Sequence, residues 1–158
     1  MGEIKFNLDI SYSQLVVFQK GTENPFNDWE DTHVSQGFAW RPESVSFGSL
    51  LADEKSQILI DIQSEAKIAN KSIRTIVVPF KVLEGGIVIA STTQEVEVDI
   101  IGGSYELVFN IIPRSSDGDL DTYYISFIKT ENPKARLLLA DEMLTPPDEL
   151  LMIAQPAI

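Results

Sequence analysis

Cysteine does not occur in this 158-residue chain, and histidine occurs once, as His33. The first absence excludes disulfides and thiolate metal sites and suits a reducing compartment. The second leaves zinc, which draws on several His or Cys ligands, without a ligand set. Long apolar runs are also missing, and none approaches the ~20 residues needed to cross a bilayer. The opening Met1-Gly2-Glu3-Ile4-Lys5-Phe6 has neither the positive start nor the apolar core of a secretory signal. Phe6 stands where a myristoylation signal carries Ser or Thr. A cytoplasmic location is the expectation. Basic residues are scarce: 12 Lys and Arg face 24 Asp and Glu, and 12 − 24 = −12. Each phosphate contact needs a cation, so this balance speaks against direct binding of nucleic acid or anionic membrane. Acidity can serve solubility alone, or it can steer in a basic partner.

What is present is apolar enough to fold, at 44% hydrophobic residues. The length suits one domain without staples, since a chain this long buries roughly 70% of its unfolded surface. The dominant period is two. Ile58, Ile60 and Ile62 alternate with Leu59 and Asp61, and Val96, Val98 and Ile100 alternate with Glu95, Glu97 and Asp99. The second set predicts a half-buried strand with carboxylates on its outer face. Tyr105 to Ile112 and Tyr123 to Phe127 continue the pattern, and Ile73 to Leu83 reads as a central strand in which Pro79 asks for a bulge or an edge. Gly85-Gly86, Gly102-Gly103 and Ser115-Ser116-Asp117-Gly118 supply turns, and the first predicts a hairpin between Val82 and Ile89.

Helix signals are few. Asn27 or Asp28 can cap a short helix running through Val34, and Thr145-Pro146-Pro147-Asp148 has capping-box form ahead of Glu149-Leu150-Leu151-Met152-Ile153. The fold class expected is therefore all-β: a single-domain antiparallel β-sandwich with one or two short helices. It would occupy residues 1–130, with 131–158 a C-terminal extension packing on it or projecting from it.

Few residue patterns suit catalysis, and the expectation is no catalytic residue and no cofactor. His33 sits in an acidic stretch, away from any Gly-x-Ser-x-Gly elbow, and reads as a surface or capping histidine. The glycine pairs lack phosphate-loop spacing. With 24 acids, paired carboxylates arise by chance and carry little information. Asp117, Asp119 and Asp121 alternate as hard-oxygen ligands for calcium would, yet Thr122 and Ile128 stand where an EF-hand loop needs Gly and Glu. A calcium-dependent binding module using that loop is the alternative reading; a solvated acidic turn is the plainer one. Trp29, flanked by Asp28, Glu30 and Asp31, is the candidate partner-binding site, because tryptophan anchors interfaces while rim carboxylates steer. It could equally cap one end of a sandwich. Tyr12, Phe18, Phe38 and Phe47 are expected in the core, while Trp40-Arg41-Pro42 fits either place.

An ordered run of features is similar to the competence protein ComJ family. It comprises Ile10-Ser11-Tyr12, Val17-Phe18-Gln19, Trp29, Gly37-Phe38-Ala39 and Val45-Ser46-Phe47, then Val78-Pro79-Phe80, Gly86-Ile87, Gly103-Ser104-Tyr105-Glu106-Leu107 and Asp121-Thr122-Tyr123. The resemblance covers roughly residues 9–130. It implies a protein without enzymatic activity that binds and inhibits a DNA-degrading nuclease, a partner whose basic cleft would complement the net negative charge. It assigns no individual inhibitory residue, and the tail from Glu131 has no counterpart in it.

Overall fold

The computed structural model describes residues 2–158. Its strands are β1 (Ile4–Ile10), β2 (Gln14–Gln19), β3 (Phe38–Arg41), β4 (Ser44–Gly48), β5 (Glu54–Ile62), β6 (Arg74–Val82), β7 (Ile87–Ala90), β8 (Glu95–Val98), β9 (Gly103–Ile112), β10 (Asp121–Lys129) and β11 (Arg136–Leu139), with one short helix, α1 (Asp31–Gln36). They form a six-stranded sheet, β1-β5-β10-β9-β6-β11, and a five-stranded sheet, β3-β4-β2-β7-β8. The all-β class is as expected. The chain divides into two compact units, one of residues up to Leu8 with 55–80 and 104–142, the other of residues 9–54, 81–103 and 143–158.

In the first unit β10 is the organising strand. It pairs antiparallel with β9 and parallel with β5, in register from Asp121↔Ser56 to Phe127↔Ile62. The parallel pair corrects the purely antiparallel expectation. Such a neighbour is reached only through a long crossover, which no turn signal announces. Apolar packing around β10 is aromatic: Phe109 stacks on Tyr123 at 5.8 Å, and Tyr105 meets Phe127 edge-on at 5.6 Å. Residues 105–111 of β9 are all buried, because Val77, Val108 and Ile128 on one face are covered by Ala66 and Leu138. Alternation of burial fades wherever both faces of a strand are covered.

β11 pairs with β6 from Arg136↔Val77, with a bulge between Leu137 and Leu139. That ladder stops short of Pro79, whose missing N–H it therefore does not need. Two ion pairs fasten β11 and the residues around it. Arg74 grips Asp141 bidentately at 2.6 and 3.0 Å, with side chains only 2% and 10% exposed. Glu106 accepts from Arg136 at 2.7 Å and from the Lys134 backbone N–H at 3.0 Å. Burial pulls the Glu106 carboxyl upward, but the Arg136 guanidinium and the Lys134 N–H outweigh it and hold the group below its ordinary value.

In the second unit every sheet pairing is antiparallel, with Val17 of β2 opposite Val45 of β4 and Ile89 of β7. Val16, Phe18, Val88 and Ala90 form one apolar cluster, covered by Phe26. β8 is the sheet edge, and its exposed Glu95 and Glu97 are as predicted; charges there discourage edge-to-edge pairing. The expected Val82–Ile89 hairpin is absent, because β6 and β7 belong to different sheets. Gly85-Gly86 is a turn between sheets, with Gly86 at φ 85° and a would-be Cβ 2.9 Å from the Val98 carbonyl oxygen.

Asp141→Ala removes the bidentate partner of a buried guanidinium and is expected to cost about 3 kcal/mol in urea unfolding. Because the Glu106 carboxyl is lowered in the folded chain, its stabilisation is full above the unfolded carboxyl range and declines as pH falls through it. Glu106→Gln should flatten the acid side of a stability–pH curve; an unchanged slope would contradict this assignment.

Candidate interaction surface

The segment joining β2 to β3 carries the predicted recognition residues, and its conformation is set by buried polar side chains. Asn27 is the first. Its Nδ2 donates to Ser46 Oγ at 3.0 Å and Ser44 Oγ at 3.3 Å, and its Oδ1 accepts from Arg41 Nε at 2.6 Å. Arg41, also buried, donates to the Asn24 carbonyl at 2.6 Å. On the backbone, Asn27 bridges to Pro156, Asp28 N–H donates to Gln155 O at 2.8 Å, and Ala157 N–H donates to Phe26 O at 2.9 Å. Residues 26–28 are thus extended, so neither Asn27 nor Asp28 caps the helix.

Helix α1 starts instead behind Glu30 and runs to Gln36, with Gly37 at φ 90° as its left-handed C-terminal stop. Glu30 and His33 form a capping box in which an imidazole stands where Glu or Gln is usual. His33 Nδ1 accepts the Glu30 backbone N–H at 3.0 Å, which leaves Nε2 as the protonated nitrogen donating to Ile153 O at 2.9 Å. The histidine is a cap, as expected, but buried at 1% exposure and not on the surface. With both nitrogens engaged, it has no lone pair to offer a substrate.

Gln36 completes the set. Its amide donates to Leu151 O at 2.9 Å and accepts from Leu151 N–H at 2.9 Å, copying one rung of a β-ladder. Thr145 N–H donates to Ser35 O at 2.9 Å. The helix expected over 149–153 does not form: no helix is assigned beyond Gln36 among the described residues, and the tail's backbone groups at 145, 151 and 153 are taken by α1. The tail is a strap on this segment. The expectation for residues 131–158 is a tail packing on the domain or projecting from it, and no residue pattern names Asn27 or Gln36 as its partners.

On this frame Asp28, Glu30 and Asp31 are exposed and Trp29 is half-buried. The indole N–H donates to Gln14 Oε1 at 3.4 Å, and the ring meets His33 edge-on at 6.4 Å. The four predicted residues are therefore contiguous on a held segment that runs from extended backbone into the first residue of α1. Phe18, Phe38 and Phe47 are buried as expected, whereas Tyr12 is 78% exposed and is corrected from core to surface. Trp40 is half-buried, Arg41 buried and Pro42 exposed.

The aspartate loop does not assemble a calcium site. Asp121 is buried against Arg114, accepting its backbone N–H at 2.7 Å and its Nε at 3.3 Å. Asp119 accepts from Ser115 at 2.8 Å and Ser116 at 2.9 Å, and those hydroxyls hold its carboxyl below the ordinary value. Among the described residues no group of three or more His, Cys, Asp or Glu is placed to hold a metal ion. Each of the four arginines of the sequence pairs with a carboxylate: Arg41 with Glu43, Arg74 with Asp141, Arg114 with Asp121 and Arg136 with Glu106. The forked cations best suited to phosphate are thereby engaged within the chain itself.

An all-β chain of this kind, with an acidic and aromatic loop strapped in place, has the build of a small recognition protein. It belongs to the Competence protein J (ComJ) family, whose model matches residues 7–128. The chain is 34% identical over 123 residues to the DNA-entry nuclease inhibitor of Bacillus subtilis (strain 168), covering 77% of this chain and 92% of that one. Among solved structures it resembles ComJ from Bacillus subtilis, inhibitor of the DNA degrading activity of NucA, with TM-score 0.72 and 32% identity over 80% of this chain and 96% of that one. Crocagin biosynthetic gene J, at 13% identity and TM-score 0.53 over 83% of this chain and 100% of that one, shares the fold alone. Residues 129–158, including the strap, lie beyond the family-matched span.

Gln36→Ala takes away both hydrogen bonds that hold Leu151 and should cost about 2 kcal/mol. Hydrogen exchange should accelerate over 26–36 and 145–157 and stay unchanged in β9 and β10. Uniform acceleration would show that the strap is not a local unit.

Proposed function

We propose that this chain is a non-catalytic inhibitor of a DNA-degrading nuclease and acts by protein–protein contact. The observation that carries the reading is its family membership, at 34% identity to a DNA-entry nuclease inhibitor over 77% of the chain. The physical chemistry agrees. A nuclease must present positive potential to DNA phosphates, and a net charge of −12 complements it. Charge steering raises association rates toward 10⁸–10⁹ M⁻¹s⁻¹ at low salt and fades as salt screens it.

The contact is assigned to Asp28, Trp29, Glu30 and Asp31. The carboxylates are exposed and the indole is held by Gln14 and His33, so the segment is ordered before any partner arrives. Pre-organisation of this kind reduces the entropy lost on binding.

Titrated into a NucA-type nuclease from the same organism, the protein should stop DNA cleavage at a one-to-one ratio, with affinity falling as salt rises. Cleavage that persists under saturating excess would remove the proposal. Trp29→Ala should weaken binding by about 2 kcal/mol, roughly thirtyfold. Wild-type affinity in a folded Trp29→Ala protein would move the contact elsewhere on the surface.

A further inference from the structure

We infer that the Tyr12–Ser13 turn is a second contact with the nuclease, forming with Trp29 and Leu51 one apolar anchor inside an acidic rim. This rests on the inhibitor reading and extends it to a surface that the sequence did not reveal. Tyr12 has φ 55° and Ser13 φ 60°, two consecutive left-handed residues that are not glycine. Two-residue turns of this type favour Asn-Gly or Gly-Gly, and a bulky aromatic is a true outlier there. The tyrosine gains little burial in return, since it is 78% exposed. Strain combined with an exposed ring is costly to the free protein and useful only to a bound one.

The turn is fixed from three sides. Ser11 bridges to Gln14 across it, Ser13 N–H donates to Ala52 O at 3.0 Å, and Ser49 N–H donates to Ser13 O at 2.9 Å. The 49–52 loop thus lies against the turn, with Leu51 49% exposed and its N–H held by Glu54 at 3.1 Å. Gln14, the last residue of the turn, receives the Trp29 indole N–H. Hydrogen bonds at Ser13 and Gln14 therefore tie the turn that carries Tyr12 to the 49–52 loop and to Trp29.

Charge identifies the occupant. Residues 11–14, 28–34 and 49–54 contain Asp28, Glu30, Asp31, Asp53 and Glu54, and no lysine or arginine. A second copy of this chain would bring the same rim against it, and an anionic membrane would be repelled. A phosphate-binding cleft offers the reverse: guanidinium and ammonium groups that pair with carboxylates and sit over aromatic faces. Tyrosine and tryptophan are the side chains most enriched at such anchors.

The test uses the full chain with Tyr12→Asn, because asparagine tolerates the left-handed turn. With a NucA-type nuclease from the same organism, inhibition should weaken about tenfold, mainly through faster dissociation, while the melting temperature stays equal or rises. Tyr12→Phe should retain near wild-type affinity, and Leu51→Ser should lose affinity independently of the turn. If wild type inhibits and both Tyr12→Asn and Leu51→Ser inhibit equally well, the second contact is wrong and the inhibitor reading stands. If wild type itself fails to inhibit, both fall. Sedimentation that shows a dimer abolished by Tyr12→Asn would assign the surface to self-association and overturn the proposal.

Discussion

The segment between β2 and β3 depends on a single rule: a buried amide or imidazole must have its hydrogen bonds satisfied inside the protein. Asn27, His33 and Gln36 are all buried, and each finds backbone or hydroxyl partners in the second unit. The partners fix where residues 26–36 and 145–157 run. Such networks are high-stakes, since a half-satisfied one is worse than apolar packing. The same bonds that anchor this segment leave Asp28, Glu30 and Asp31 on its outer side and use up the one histidine as a cap.

Charge is divided between two tasks. Glu106, Asp121 and Asp141 each balance an arginine in the first unit, where they hold strand ends and loops. The carboxylates beside Trp29, at Asp28, Glu30 and Asp31, have no arginine or lysine within residues 28–34. Internal pairing therefore engages the arginines with carboxylates or buried polar groups, while residues 28–34 and 49–54 carry only acidic charges. Net charge alone does not convey this division.

Much of the fold was legible from period. The strands over 58–62, 74–82, 95–98, 105–112 and 123–127 follow side-chain alternation or a continuous apolar run, both consequences of the pleat. Partnering was not legible. The parallel β5–β10 pair and the separation of β6 from β7 are decided by contacts distant in sequence, which local turn chemistry cannot encode. The capping-box letters at Thr145 met stronger competition, because α1 claims the backbone groups a helix would have used. Tyr12 was misplaced for a similar reason: an aromatic beside a strand usually belongs to the core, and only its backbone angle puts it on the surface.

By itself the sequence determined a β protein, acidic, without thiols and with a Trp29 cluster, because composition and period are local properties that survive without a partner strand. Tertiary structure alone decided that the tail straps the segment around Trp29 and that the Trp29 indole reaches Gln14 beside the Tyr12–Ser13 turn. Both depend on hydrogen bonds between residues far apart in the chain, whose geometry exists only once the backbone has closed.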